Sequence, residues 1–145
     1  MTKTHLTIDS YMTASPHTAG ADQTLNYARE IMREYHIRHL PVLRGGELVG
    51  ILSDRDLALI EKWNDVDPRS VKIEEAMSSE IFTVSAGTRL DSVADEMSFR
   101  KIGSTVVLRD GKVAGIFTLV DACKALGDLI RARETRDEQT STPEL

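Results

Sequence analysis

Apolar positions along this chain switch between helical and strand spacing, and the switches recur 65 residues later. Leu25, Ala28, Met32 and Tyr35 fall at helical spacing, with Ile31 widening the stripe. Leu90, Val93, Met97 and Phe99 do the same, after a Thr88-x-x-Asp91 capping pattern. Each of these helices is followed by two short apolar runs split by a glycine turn, "LPVLRGGELVGIL" and "STVVLRDGKVAGIF". They predict two β-hairpins, with Asp110-Gly111 the clearer turn. A second helix then runs from about residue 54 to 63, and its counterpart from about 119 to 130. Ahead of the first helix in each half, a short amphipathic start ("TIDSYM", "KIEEAM") leads to an extended piece ("SPHTAG", "EIFTVS"). The predicted order is therefore β-α-β-β-α, twice.

The two halves align without a gap. Ile8 falls on Ile73, Met12 on Met77, Thr18 on Thr83, Leu25 on Leu90, Met32 on Met97 and Ile37 on Ile102. "VLR" at 42–44 repeats at 107–109, Gly50-Ile51 repeats as Gly115-Ile116, and Asp56 meets Asp121. Such a register, in only two copies, describes a tandem of supersecondary units that bury their faces against each other, not a solenoid. Unit one spans residues 1–66 and unit two 67–130, joined by "NDVDPRSVK" with Pro68 as breaker. Residues 131–145 are polar and non-periodic, and read as a disordered tail.

Composition narrows the class. At 145 residues and 41% hydrophobic, the chain can bury a sizeable core, and with 5% aromatic residues that core must be aliphatic. A net charge of -5 argues against a general nucleic-acid binder. No run approaches the roughly 18–20 apolar residues of a membrane span, and the N-terminus lacks a signal peptide's apolar core. Cys123 is the single cysteine, so no internal disulfide can form, and a reducing, cytoplasmic setting is expected.

The candidate chemistry lies where each hairpin meets its second helix. Ser53-x-x-Asp56 and Thr118-x-x-Asp121 carry a hydroxyl and an acid three residues on. That spacing makes a capping box, which satisfies orphan N–H groups at a helix start. It also suits ligand binding: a helix start favours anions, a hydroxyl can contact phosphate, and an acid one turn in can accept from ribose hydroxyls. An acid repels phosphate, so ribose is the better partner for Asp56 and Asp121. Gly50 and Gly115, three residues earlier, fit either a close approach by a neighbouring backbone or a close approach by a ligand. Arg38 and His39 are either solvated charge or phosphate-facing cations. Their counterparts are Gly103 and Ser104, and Arg55 faces Val120, so the copies differ in charge.

Nothing points to catalysis. His5, His17, His36 and His39 lack zinc spacing, Cys123 aligns with Ala58 as a small helix residue, and there is no G-x-G-x-x-G, Walker A or G-x-S-x-G. The expectation is no catalytic residue, no metal and no catalytic cofactor.

The doubled pattern "IRHLPVL…GELVGILSDRDL", with "DSYMTASPHTAGADQTLNYAREIM" and "EEAMSSEIFTVSAGTRLDSVADEM", resembles the cystathionine-β-synthase (CBS) domain over residues 6–130. The chain looks like a stand-alone CBS pair, a Bateman module. The resemblance implies an α/β (α+β) fold of tandem CBS repeats related by a pseudo-two-fold axis. Two clefts between them bind an adenine nucleotide or S-adenosylmethionine, and the module homodimerises and regulates an effector protein. Carried over, one cleft joins Thr118 and Asp121 to Thr13, His17, Ile37, Arg38 and His39. The other joins Ser53 and Asp56 to Ser78, Phe82, Ile102, Gly103 and Ser104. The second copy departs from the pattern, with Val106 where Pro41 stands in the first. Because Gly103 and Ser104 carry no charge, the Asp121 cleft with Arg38 is expected to be the better nucleotide site. A ligand-free scaffold, with the hydroxyl–acid pairs acting as caps alone, is the competing reading.

Overall fold

A computed structural model describes residues 6–63 and 66–140. Its elements in chain order are β1 (Thr13–Ala14), β2 (Ala19–Gly20), α1 (Leu25–Tyr35), β3 (His39–Arg44), β4 (Glu47–Ser53) and α2 (Asp54–Glu61). There follow β5 (Thr83–Ser85), α3 (Leu90–Arg100), β6 (Ser104–Arg109), β7 (Lys112–Thr118) and α4 (Leu119–Thr140). Single 3₁₀ turns at Ile8–Ser10 and Ile73–Glu75 form the amphipathic starts.

Both hairpins close through two-residue loops with positive φ at both positions: 57° and 82° at Gly45 and Gly46, 53° and 77° at Asp110 and Gly111. This geometry matches the right-handed twist of the strands. α1 and α3 each end on a left-handed residue, His36 or Lys101. The next N–H, of Ile37 or Ile102, donates back to Met32 or Met97. The chain is thereby turned into residues 37–39 and 102–104 at the start of each hairpin.

The units are interlaced. One sheet has the order β2-β3-β4, all from the first unit, but the other is β1-β7-β6-β5, so β1 has crossed into the second unit's sheet. Thr13 pairs with Ile116 and Ala14 with Gly115. The reciprocal crossing is a bridge between Ser78 and Ile51, with both N–H···O bonds at 2.9 Å. The cores follow the same exchange. Ile73, fully buried, joins Leu25, Ala28, Leu40, Val42 and Leu52 in the first unit's core. Ile8, also fully buried, joins Leu90, Val93, Met97, Val107 and Phe117 in the second. A cut between residues 66 and 67 would remove one wall from each core.

Three expectations change. The residues 131–140 assigned to a disordered tail continue α4 to Thr140. They contain no glycine or proline before Pro143, and the arginines and glutamates are good helix formers even without an apolar stripe. Residues 141–145 lie outside the described residues. The Thr88-x-x-Asp91 cap is not formed, because α3 starts at Leu90 with Arg89 as N-cap, and Asp91 is bound by the Arg89 guanidinium. Thr24, the counterpart of Arg89, does cap α1, accepting from the Tyr27 N–H. Phe99 is not a core position: it is 84% exposed.

Candidate functional site

The strand-to-helix turns of both units are built alike. Ser53 caps α2 by accepting from the Asp56 N–H at 3.1 Å, and its own N–H donates to Asp56 Oδ2 at 2.9 Å. The Thr118 N–H donates to Asp121 Oδ2 at 2.9 Å, and the Asp121 N–H reaches Thr118 Oγ1 at 3.5 Å. The capping reading therefore holds in both copies. A difference follows. Thr13 Oγ1, on the crossed β1, donates to Asp121 Oδ1 at 3.1 Å, so this carboxylate joins both units. Among the described residues, Asp56 Oδ1 has no such partner.

Gly50 and Gly115 allow these crossings. A Cβ on Gly115 would lie 2.3 Å from Met12 Sδ and 3.0 Å from the Thr13 carbonyl oxygen. A Cβ on Gly50 would meet Met77 Sδ and the Ser78 carbonyl oxygen at the same distances, 2.3 and 3.0 Å. Of the two readings of these glycines, close approach by a neighbouring backbone is the one realised. Met12 and Met77 were missed as site-forming residues, although the 65-residue register pairs them.

The hairpin registers place the residues that precede each first strand. His39 lies opposite Ser53 in the β3–β4 register, and the Asp54 N–H donates to the Arg38 carbonyl at 2.9 Å. Ile37, Arg38 and His39 thus stand beside Ser53 and Asp56 of their own hairpin. Ser104 lies opposite Thr118, and the Leu119 N–H donates to the Gly103 carbonyl at 3.2 Å. Ile102, Gly103 and Ser104 thus stand beside Thr118 and Asp121. The reason is geometric: in an antiparallel hairpin with a two-residue loop, the start of the first strand must face the end of the second. Only the early segments change units, which brings Thr13 to Asp121 and Ser78 to Ile51, two residues before Ser53. The Arg38 and Arg55 guanidiniums and the Asp54 and Asp56 carboxylates all act on His39 at the Ser53 turn.

His17 and Phe82 occupy a third kind of position, against the ends of the long helices. The His17 ring stacks on Tyr35, centroids 3.7 Å apart and planes 18° from parallel. The Arg100 guanidinium lies over Phe82, 4.7 Å from the ring centre. Tyr35 and Arg100 are counterparts in the repeat, so each unit packs a ring against the same helix station with different chemistry.

Charge sharpens the contrast between the turns. Burial holds His39 below the ordinary imidazole value, against the opposing pull of the Asp54 and Asp56 carboxylates. The Arg38 and Arg55 guanidiniums push in the same direction as burial. The matching stations of the other turn are Gly103, Ser104 and Val120. A carboxylate oxygen beside cations suits a ribose phosphate, and a carboxylate in an uncharged setting suits a neutral nucleoside. A wide concavity of about 680 Å³ opens elsewhere, between residues 18–23, the Gly45-Gly46 loop and Glu74, and includes none of the candidate residues. No helix among the described residues is long and apolar enough to cross a membrane.

Comparisons with known proteins agree with this architecture. The family model for the CBS domain matches residues 8–60 and 73–128. Over 116 residues the chain is 31% identical to the inosine-5'-monophosphate dehydrogenase of Staphylococcus haemolyticus, covering 77% of this chain and 22% of that protein. The chain thus spans about a fifth of the length of the curated dehydrogenases it matches. The AcuB protein of Vibrio cholerae superposes with a TM-score of 0.82 at 28% identity, over 97% of this chain and 100% of that one. The CBS domain pair of protein MJ0100, crystallised with 5'-methylthioadenosine and S-adenosyl-L-methionine, superposes with a TM-score of 0.77 at 28% identity, over 86% and 98% of the two chains.

Proposed function

The chain belongs to the CBS domain family, and on that premise we propose that it is a regulatory module that binds adenosine-containing ligands beside its two hydroxyl–acid turns and signals as a homodimer to an effector protein. The observation that carries this reading is Asp121. It accepts from Thr13 of one unit and from the Thr118 turn of the other, so a ribose taking either bond couples ligand to the packing of the two units. The adenosine-type ligands of the MJ0100 pair support the ligand class. Asp56 and Asp121 hold ribose hydroxyls, and Ser53 and Thr118 stand where a phosphate or its linking oxygen lies. Arg38, His39 and Arg55 make the Ser53 turn the station for AMP, ADP or ATP. The Asp121 turn takes the less anionic S-adenosylmethionine or methylthioadenosine.

Isothermal titration calorimetry tests this. AMP and ATP should give saturable heat that Asp56→Ala removes, and S-adenosylmethionine should give heat that Asp121→Ala removes, both variants keeping their circular dichroism. Flat titrations with all of these ligands would sink the ligand-binding reading and leave the turns as helix caps.

A further inference from the structure

The two hydroxyl–acid turns are not equally open. The two oxygens of a carboxylate offer about four acceptor sites. At Asp121, Oδ2 accepts from the Thr118 N–H at 2.9 Å and from the Thr118 hydroxyl at 3.2 Å. Oδ1 accepts from the Thr13 hydroxyl at 3.1 Å, and that hydroxyl also lies 3.4 Å from Oδ2. At Asp56, Oδ2 accepts from the Ser53 N–H, and among the described residues no donor meets Oδ1. The counterpart of Thr13 is Ser78, whose hydroxyl is turned into its own loop. It accepts from the Glu80 N–H at 3.3 Å and donates to the Glu80 carbonyl at 3.4 Å. A diol that sets one hydroxyl on each carboxylate oxygen finds Asp56 ready and Asp121 already occupied.

The backbone beside Thr13 carries a second asymmetry. Among the described residues the other left-handed positions come in repeat pairs: His36 with Lys101, Gly45 with Asp110, Gly46 with Gly111. Ser15 is left-handed too, at φ 47°, and its counterpart Glu80 is not. A non-glycine residue stays at positive φ only where its surroundings hold it, and such strain gathers at switching segments. Here the Ser15 N–H donates to the Ala114 carbonyl at 3.0 Å, Ala14 pairs with Gly115, and Thr13 pairs with Ile116 and binds Asp121. The reciprocal crossing is a single bridge at Ser78.

From these observations we infer that Thr13 is an internal latch on Asp121, and that a ribose seated on this carboxylate displaces the Thr13 hydroxyl and frees β1 from β7. The inference rests on the ribose-binding reading of Asp121 and adds its regulation. Thr13 and ribose compete for the same oxygen, so the latch weakens binding at Asp121 and leaves Asp56 untouched. Linkage is reciprocal: a ligand that has to open the latch also loosens the crossing. β1 belongs to the first unit in sequence and to the second unit's sheet, so its release changes how the units are joined. Ser15 then returns to the backbone regions that L residues prefer, which favours the released state. Asp56 has no such link, so filling it leaves the crossing in place. One turn is thereby a plain binding site and the other a switch.

The test pairs calorimetry with hydrogen exchange of the Ser15 amide, read by nuclear magnetic resonance on the full chain. Without ligand, Thr13→Val should speed Ser15 exchange about two- to tenfold, the effect of losing one net hydrogen bond. Thr13→Ser, which keeps the hydroxyl, should restore the wild-type rate. Saturating S-adenosylmethionine should speed Ser15 exchange in the wild-type chain, and AMP should not. Thr13→Val should also bind S-adenosylmethionine about two- to tenfold more tightly, since no latch has to be opened. Unchanged Ser15 exchange in Thr13→Val overturns the latch alone. So does S-adenosylmethionine slowing that exchange (a ribose bridging Thr13 to Asp121), or weaker binding by Thr13→Val. Equal acceleration by AMP overturns the link to Asp121. A flat S-adenosylmethionine titration of the wild-type chain overturns the ribose reading of Asp121 and the ligand-driven release together.

Discussion

Replacing Gly115 with alanine probes the crossing on which the whole arrangement depends. A glycine in a strand interior normally costs about 0.5–1 kcal/mol relative to alanine, so on propensity alone the change should stabilise. The added Cβ, however, meets Met12 Sδ at 2.3 Å and the Thr13 carbonyl oxygen at 3.0 Å. The methionine can swing aside. The carbonyl cannot, because β1 is held on β7 through Thr13 and Ala14. Overpacking of this kind costs about 1–3 kcal/mol, which exceeds the propensity gain and leaves a net loss of roughly 0.5–2 kcal/mol. Gly87 is the control: its φ is ordinary, and nothing lies within 4 Å of a Cβ placed there. Gly87→Ala should therefore stabilise by about 0.4–1 kcal/mol. Urea unfolding followed by circular dichroism separates the two. If Gly115→Ala proves as stable as Gly87→Ala, backbone contact does not explain the glycine, and the account of the crossing fails.

Two other measurements follow from groups buried in the fold. Thr105 is fully buried, and among the described residues its hydroxyl has no hydrogen-bond partner. Thr105→Val should raise the free energy of unfolding by about 1–2 kcal/mol, and a loss on chemical unfolding would reveal an acceptor for that hydroxyl. His39 has its pKa lowered by burial, so its unfolded form binds the proton more readily. Stability should be complete above the ordinary imidazole value of about 6.5 and decline as pH falls through it. His39→Gln should flatten that decline in thermal melts between pH 5 and 7, and an unchanged slope would assign it to other groups.

Much of the fold was legible because the repeat reports each element twice. The hairpins, the long helices and the hydroxyl–acid turns all follow from periodicity and turn chemistry. Errors arose where a local pattern underdetermines its neighbours. The 131–140 helix carries no apolar period, its residues 131–139 being exposed, and so its pattern resembled a polar tail. Thr88 missed its cap by one residue, because the backbone enters α3 through a bridge between Thr7 and Arg89 that no local window contains.

The candidate site divides in the same way. Ser53, Asp56, Thr118 and Asp121 were found because a hydroxyl and an acid three residues apart serve one turn, and one turn is local. The neighbours of the cations along the backbone follow from a rule just as local. The hairpin register, a local rule, sets Arg38 and His39 beside Ser53.

By itself, the order of residues determined the elements, their duplication and the four turn residues, because each depends on interactions within a few positions. Tertiary structure alone decided that Ile8 and Ile73 exchange cores and that Thr13 reaches Asp121 across 108 residues. These depend on how two units of the same pattern satisfy each other's open sheet edges and apolar faces. Matching local patterns cannot specify which copy supplies the partner; only the packed geometry can.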